Sequence, residues 1–251
     1  MRIDLNCDLG ESFGRYELGE DAEVMPLVSS VNVACGMHAG DPLVMERTVR
    51  LAVRLGRAIG AHPGYPDLQG FGRREMNMTP EEVEAYVLYQ IGAAWGMARA
   101  SGVELAHVKP HGALYNQAAA QGPLAEAVAR AVRRFSPSLI LVGLAGSALT
   151  AAGADLGLRV AHEAFPDRAY EADGSLRSRR LAGAVLSEPE AVCAQAVRLA
   201  REGIQRLEAG QVRVIRVDTL CIHGDHPGAA RRAAAVRAAL EANGVTIRPM
   251  G

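Results

Sequence analysis

Lys109 is the one lysine in a chain whose Lys plus Arg total is 27, and it sits in the segment Leu105-Ala106-His107-Val108-Lys109-Pro110-His111-Gly112. A protein that writes its solvated positive charges as arginine has little need of lysine on its surface. The single ammonium therefore points to work that a guanidinium cannot do: lysine is a compact point charge whose proton affinity moves on burial, whereas arginine is a planar fork that stays protonated. The plain alternative is a surface lysine left by an arginine-rich composition.

Other groups with chemistry gather at the ends of apolar runs. Asn6, Asp8 and Glu11 follow the first; Asn32, His38 and Asp41 the second; His62 and Tyr65 the third; His111 and Tyr115 follow Lys109. Glu163, Asp167 and Arg168 come later, then His223, Asp225 and His226. Asp8, His62 and His111 have the residue types of a divalent-metal site of mixed carboxylate and imidazole ligands, open enough to hold a water. No HExxH or other helix-spaced pair fixes such a geometry. The structural alternatives are helix capping by Asp8 and Asp41, and histidines bonded to loop backbone. His107, inside a strand run, reads as structural.

The elements that must position these residues alternate from end to end. Strand candidates are Ile3–Cys7, Val31–Cys35, Ala58–His62, Leu105–Lys109, Leu139–Leu144, Leu158–Glu163 and Val212–His223, with a short run Val245–Arg248 either closing the circuit or lying outside it. Helix starts are expected at Asp41-Pro42 and Asp225-His226-Pro227, with capping boxes at Thr79-Pro80-Glu81-Glu82 and Ser187-Glu188-Pro189-Glu190. Seven or eight strand–helix units in 251 residues predict a single α/β domain over residues 1–251, an irregular β/α barrel of about seven parallel strands. An open doubly wound sheet is the other arrangement this order permits. In a barrel the carboxyl ends of the strands share one mouth, which brings the residues above together. The long segments Tyr65–Met78 and Phe165–Leu181 are expected to be lids or binding loops.

Composition narrows the functions. A formal net charge of −1 gives no basic footprint, so neither nucleic acid nor an anionic membrane is an expected partner. No stretch reads as a leader or a membrane span, and Cys7, Cys35, Cys193 and Cys221 lack CxxC spacing and read as reduced thiols, so a cytoplasmic protein is expected. Phosphate-binding signatures are missing: Lys109 is followed by Pro110, and Gly143-Leu144-Ala145-Gly146-Ser147 lacks the dinucleotide spacing. A bound nucleotide would have to use helix starts such as Gly146-Ser147 or Gly224-Asp225, with Lys109 or loop arginines.

Several runs resemble a known family. Asp4-Leu5-Asn6-Cys7-Asp8-Leu9-Gly10-Glu11-Ser12-Phe13-Gly14, Ser30-Val31-Asn32-Val33-Ala34-Cys35-Gly36-Met37-His38-Ala39-Gly40-Asp41-Pro42 and Ala61-His62-Pro63-Gly64-Tyr65-Pro66-Asp67 are similar to segments of the 5-oxoprolinase A-subunit family, the LamB/YcsF-type proteins. Phe71-Gly72-Arg73-Arg74, Val108-Lys109-Pro110-His111-Gly112-Ala113-Leu114-Tyr115-Asn116, Glu163-Ala164-Phe165-Pro166-Asp167-Arg168-Ala169-Tyr170 and Ile222-His223-Gly224-Asp225 continue the likeness in order.

The resemblance implies a barrel similar to those of polysaccharide deacetylases. It also implies membership of a three-subunit hydrolase, needing two partner subunits, that opens the cyclic amide of 5-oxo-L-proline to L-glutamate while ATP becomes ADP and phosphate. By analogy with the deacetylases, Asp8, His62 and His111 would hold a divalent metal. Asp8, Lys109, His111 and His62 are the expected catalytic residues. Asn6, Asn32, His38, Arg73, Arg168, His223 and Asp225 are the expected substrate contacts, with Arg73 or Arg168 clamping the substrate carboxylate. Two other readings stay open: a metal-dependent deacetylase or amidohydrolase acting without nucleotide, and a non-catalytic subunit that holds substrate.

Overall fold

Strand β1 (Arg2–Leu9) sets the plan of the molecule. Its side chains alternate between the two faces of the sheet: Ile3, Leu5, Cys7 and Leu9 join the main apolar core, while Asp4, Asn6 and Asp8 share the opposite face. The remaining strands are β2 (Ser30–Ala34), β3 (Ala58–His62), β4 (His107–Val108), β5 (Ile140–Leu144), β6 (Arg159–Ala164), β7 (Ile204–Arg206), β8 (Val212–Val214), β9 (Thr219–His223) and β10 (Thr246–Ile247). Between them run helices α1 (Asp21–Val24), α2 (Pro42–Arg54), α3 (Pro80–Ala100), α4 (Gly112–Ala120), α5 (Gly122–Phe135), α6 (Ala148–Asp155), α7 (Pro189–Glu202) and α8 (Ala229–Ala242). This computed structural model describes residues 1–223 and 228–250; the expected helix start at Asp225-His226-Pro227 and the side chain of His223 lie outside the described residues.

Seven parallel strands, in the order β1-β2-β3-β4-β5-β6-β9, close into a barrel because β9 pairs with both β6 and β1. The ring excludes the open doubly wound sheet. Strand β10 lies outside the circuit, paired with the start of β1 at Arg2↔Thr246 and Ile3↔Ile247. The run Val212–His223, expected as one strand, is two: β8 makes an antiparallel hairpin with β7, and β9 enters the barrel. Asp218 divides them, because its Oδ2 accepts the amide of His162 (2.9 Å) at the point where the chain joins β6.

Local chemistry starts the helices. Asp41 Oδ1 accepts from the amides of Leu43 and Val44, both at 2.9 Å, and Thr79 makes the expected reciprocal box with Glu82. The box expected at Ser187 does not form: Glu188 is the cap residue without a side-chain cap bond, and the Ser187 hydroxyl turns to the Glu188 carboxylate at 3.3 Å. Along α3, Val83, Val87, Ile91, Ala94 and Ala98 form the buried stripe that packs toward α5, whose own face is largely alanine and valine. No helix among the described residues is long and apolar enough to cross a membrane.

The apolar core therefore lies between the ring and its helices, while polar side chains gather inside the ring. Asp4, Asn6, Ser30, Asn32, His62, His107, Lys109, Glu163 and Thr219 are all buried. Small barrels are usually filled by interlocking branched aliphatic residues. This one is filled by a hydrogen-bond network, and buried polar groups are tolerated only when partnered.

Candidate active site

Strand β4 ends at Val108, yet the backbone amide of Lys109 still reaches the carbonyl of Ala61 at 3.0 Å, so the lysine side chain enters the ring. It is 2% exposed. Its Nζ lies 2.9 Å from Glu163 Oε1, 3.0 Å from Asp8 Oδ1, 3.0 Å from Cys221 Sγ and 3.2 Å from Asn6 Oδ1. Burial, the largest influence, works against the ammonium, yet Asp8, Cys221 and Glu163 together hold its pKa well above the ordinary lysine value. Burial, the largest influence, pushes the Cys221 thiol up, while Lys109 beside it pulls the other way.

Two amides brace this charge. Asn32 Nδ2 donates to Asp8 Oδ1 and to Asn6 Oδ1, both at 2.7 Å, and its own Oδ1 accepts from His107 Nε2 at 2.6 Å. Asn6 Nδ2 donates to Glu163 Oε1 at 2.9 Å and to the Thr219 hydroxyl at 2.6 Å. The network continues through Thr219 to Asp4, which also accepts from Ser29 and Ser30; burial outweighs these bonds and raises its pKa to about 6. His107 is structural as expected, pushed to about 3 by burial and then by Lys109, and therefore neutral.

Beside the lysine stand three imidazoles. His62 Nδ1 meets the carbonyl of Lys109 at 2.7 Å and His111 Nε2 meets the carbonyl of Phe71 at 2.8 Å. A carbonyl only accepts, so each of those nitrogens carries the proton. The remaining nitrogens, His62 Nε2 and His111 Nδ1, face each other at 3.0 Å. His38 stacks on His111 with centroids 3.8 Å apart and planes 6° from parallel, and its Nε2 lies 3.6 Å from Glu11 Oε1. Glu11 Oε1 is also 3.5 Å from His111 Nδ1, and His62 Nε2 is 3.3 Å from Asp8 Oδ2. Burial, reinforced by the neighbouring histidines, holds His111 to about 3 and His38 well below its ordinary value. Glycine makes room for the stack: a Cβ on Gly72 (φ +63°) would lie 2.7 Å from His38 Cβ and 2.8 Å from His111 Cδ2, and one on Gly64 would lie 2.6 Å from His38 Nδ1.

A cavity of about 970 Å³ opens over these groups. Asp8, Glu11, His62, Lys109 and His111 line its inner end, and the segments Tyr65–Met78 and Phe165–Leu181 both contribute to its walls. Arginines, among them Arg73, Arg179, Arg180 and Arg213, ring its outer part.

A family model described as the LamB/YcsF family matches residues 3–251. The chain belongs to the LamB/YcsF family. It is 57% identical over 248 residues to a protein of Chloroflexus aggregans named as the A subunit of 5-oxoprolinase, the match covering 99% of this chain and 98% of that one. A solved "Lactam Utilization Protein" of Thermus thermophilus superposes with a TM-score of 0.94 at 49% identity, covering all of both chains. Structures called deacetylases also align: a "T48 deacetylase with substrate" gives a TM-score of 0.48 at 16% identity over 98% of this chain and 86% of that one.

In this LamB/YcsF chain the expected catalytic residues Asp8, His62, Lys109 and His111 do meet. Asn6 and Asn32 meet them too, but beneath the cavity, fully buried against Lys109 and Asp8. His38 belongs to the imidazole cluster. Arg73 is exposed at the cavity wall with its guanidinium 5.1 Å from the Phe71 ring. Arg168 reaches the cavity as a loop tie: Nε donates to the carbonyl of Ala184 (3.2 Å) and Nη2 to that of Arg177 (2.5 Å). The His223 side chain and Asp225 lie outside the described residues. The expected metal trio Asp8, His62 and His111 shares two members with the set whose ligand atoms all lie within 4.8 Å of one another: Glu11, His38, His62 and His111.

Glu11, Glu163 and Cys221 complete the site without having been expected among its catalytic or substrate-binding residues. For the strand residues the signal was alternation. Asp4-x-Asn6-x-Asp8, His107-x-Lys109 and Thr219-x-Cys221 place polar or small groups at every second strand position, which marks the inner face of the ring.

Proposed function

We propose that this chain is the A subunit of an ATP-dependent 5-oxoprolinase, a cytoplasmic hydrolase that opens 5-oxo-L-proline to L-glutamate together with two further subunits. The names of its relatives support the lactam and the shared assembly. The observation that carries the chemistry is Lys109, buried at the inner end of the cavity and bridging Asp8 and Glu163.

A five-membered lactam is a poor electrophile, and its ring closes spontaneously. Phosphorylation of the amide oxygen by ATP makes the carbonyl carbon electrophilic and gives ADP. Water then adds to that carbon, the C–N bond breaks with the ring nitrogen taking a proton, and a second water releases phosphate from the acyl phosphate to give glutamate. In this reading Asp8 serves the first water as base, which its contacts support: Lys109 and Asn32 hold its Oδ1, while Oδ2 lies beside His62 Nε2. Asp8 passes the proton on to the ring nitrogen, because His111, held to about 3, is a poor acid at neutral pH. Lys109 positions Asp8 and supplies a positive field to the developing oxyanion. Arg73 offers a fork to the substrate carboxylate, and the arginine rim gives ATP phosphates a cationic approach.

Reconstitution tests the proposal. The chain is mixed with its two partner subunits, 5-oxoproline and ATP are supplied, and glutamate and ADP are measured. Both should form together; glutamate no higher than with the partners alone overturns the reading. The imidazole cluster favours a second reading, a metal-dependent amidohydrolase without nucleotide, which predicts glutamate formation when ATP is omitted and its loss on chelation.

A further inference from the structure

The backbone has chosen the tautomers of His62 and His111. Each donates its outer N–H to a carbonyl, of Lys109 and of Phe71, and so turns a bare lone pair toward the other imidazole at 3.0 Å. Two lone pairs at that distance repel unless a proton or another cation lies between them. His38 adds a second anomaly: it is fully buried, and neither of its ring nitrogens makes a hydrogen bond among the described residues. Burying polar atoms without partners is costly, and such atoms call for an explanation.

We infer that Glu11 Oε1, His38 Nε2, His62 Nε2 and His111 Nδ1 form a binding site for one divalent first-row transition-metal ion. The spacing suits it. Four ligands about 2.05 Å from a tetrahedral ion lie roughly 3.3 Å from one another; here the measured separations are 3.0 Å for His62–His111, 3.5 Å for His111–Glu11 and 3.6 Å for His38–Glu11. Carbonyls behind His62 and His111 are the outer partners that metal-bound imidazoles characteristically have, fixing ring orientation and ligand basicity. The close packing of Gly64 and Gly72 against His38 and His111 fixes the rings before any ion arrives. Three imidazoles and one carboxylate select zinc, cobalt, nickel or iron over magnesium or calcium, which take oxygen ligands. Asp8 stands beside the set, its Oδ1 committed to Lys109 and Asn32.

This inference is independent of the lactam reading, because it concerns what the four side chains bind and not which bond is broken. The full-length chain, stripped with a chelator and dialysed, is titrated with Co²⁺ and followed by visible absorption. One equivalent should bind with the d–d bands of a nitrogen-rich site, and Zn²⁺ should displace it. His38→Ala should weaken Co²⁺ binding by roughly 100-fold or more, beyond what loss of an outer partner gives, while Asp8→Asn should leave the stoichiometry and spectrum in place. Circular dichroism checks the fold of each variant, and Glu11→Gln replaces His38→Ala if that variant does not fold. Absence of stoichiometric binding, or binding that His38→Ala and Glu11→Gln leave unchanged, overturns the site. A chain that binds Co²⁺ but yields no glutamate with its partners sinks the reaction and leaves the metal site standing.

Discussion

Replacing Lys109 by methionine keeps most of the apolar stem and removes only the charge. In the native structure that charge is 2.9 Å from Glu163 and 3.0 Å from Asp8, with Glu163 fully buried. Deleting one member of a buried ion pair typically costs 3–5 kcal/mol, because the other charge stays desolvated and uncompensated. Lys109→Met should therefore lower the unfolding free energy by about 4 kcal/mol, a large part of the 5–15 kcal/mol usual for a folded protein. The cause is tested by a second substitution. Lys109→Met/Glu163→Gln removes one of the stranded charges and should recover about 2 kcal/mol, a coupling that independent sites do not show. Catalysis should not recover with stability: both variants should form glutamate at least roughly 100-fold more slowly in the reconstituted complex, as expected when a preorganised charge is lost. Urea unfolding with an unchanged m-value and a coupled glutamate assay supply the two measurements. A single variant within about 0.5 kcal/mol of the native chain, the range of ordinary surface changes, or strictly additive effects in the double variant, would refute the argument.

Other expectations follow from neighbouring groups. Asp4, with a folded pKa of about 6 against an ordinary value of 3.8, binds more protons in the native than in the unfolded state across that window. Its contribution to stability therefore falls as pH rises from about 4 to 6, by about 3 kcal/mol for a shift of about two units, and Asp4→Asn should flatten that part of the urea-derived stability curve. His107 has the opposite sign: depressed to about 3, it favours the fold fully above its unfolded value near 6.5 and loses that contribution as pH falls. The slope is about 1.4 kcal/mol per pH unit, and His107→Gln should remove it. Gly72→Ala forces a side chain onto a φ of +63° and against His38 and His111, so it should cost about 1–3 kcal/mol and abolish the Co²⁺ bands.

The sequence exposed some of this structure through local chemistry. Asp41 and Thr79 announced their helices because the capping oxygen lies within three residues of the amides it accepts from. Strand β1 was visible as an apolar run, though it extends past the expected Ile3–Cys7 to Arg2 and Leu9, and the single lysine was visible by its rarity. Features that depend on partners far along the chain were not. Glu163 joins the site through Asn6 and Lys109, 157 residues away in the first case, and nothing beside it in sequence marks that contact. Nearby partners can hide a role as well: Arg168 ties its own loop through the carbonyls of Ala184 and Arg177, 16 and 9 residues on, and residue type alone does not separate that from substrate binding. The break between β8 and β9 was hidden because apolar residues run on both sides of Asp218, and only the His162 amide shows where the chain changes sheets.

Strand β4 is only two residues long, yet it separates β3 from β5 and delivers Lys109. The wall of the ring is thus thinnest where its charge is concentrated, and side-chain contacts do there what a longer ladder does elsewhere. A ligand that draws on Asp8 or Glu163 loosens the fastening of that seam. Breathing of the barrel and occupancy of its mouth are thereby tied to one another, and amides flanking the seam should exchange with solvent faster or slower according to what the mouth holds.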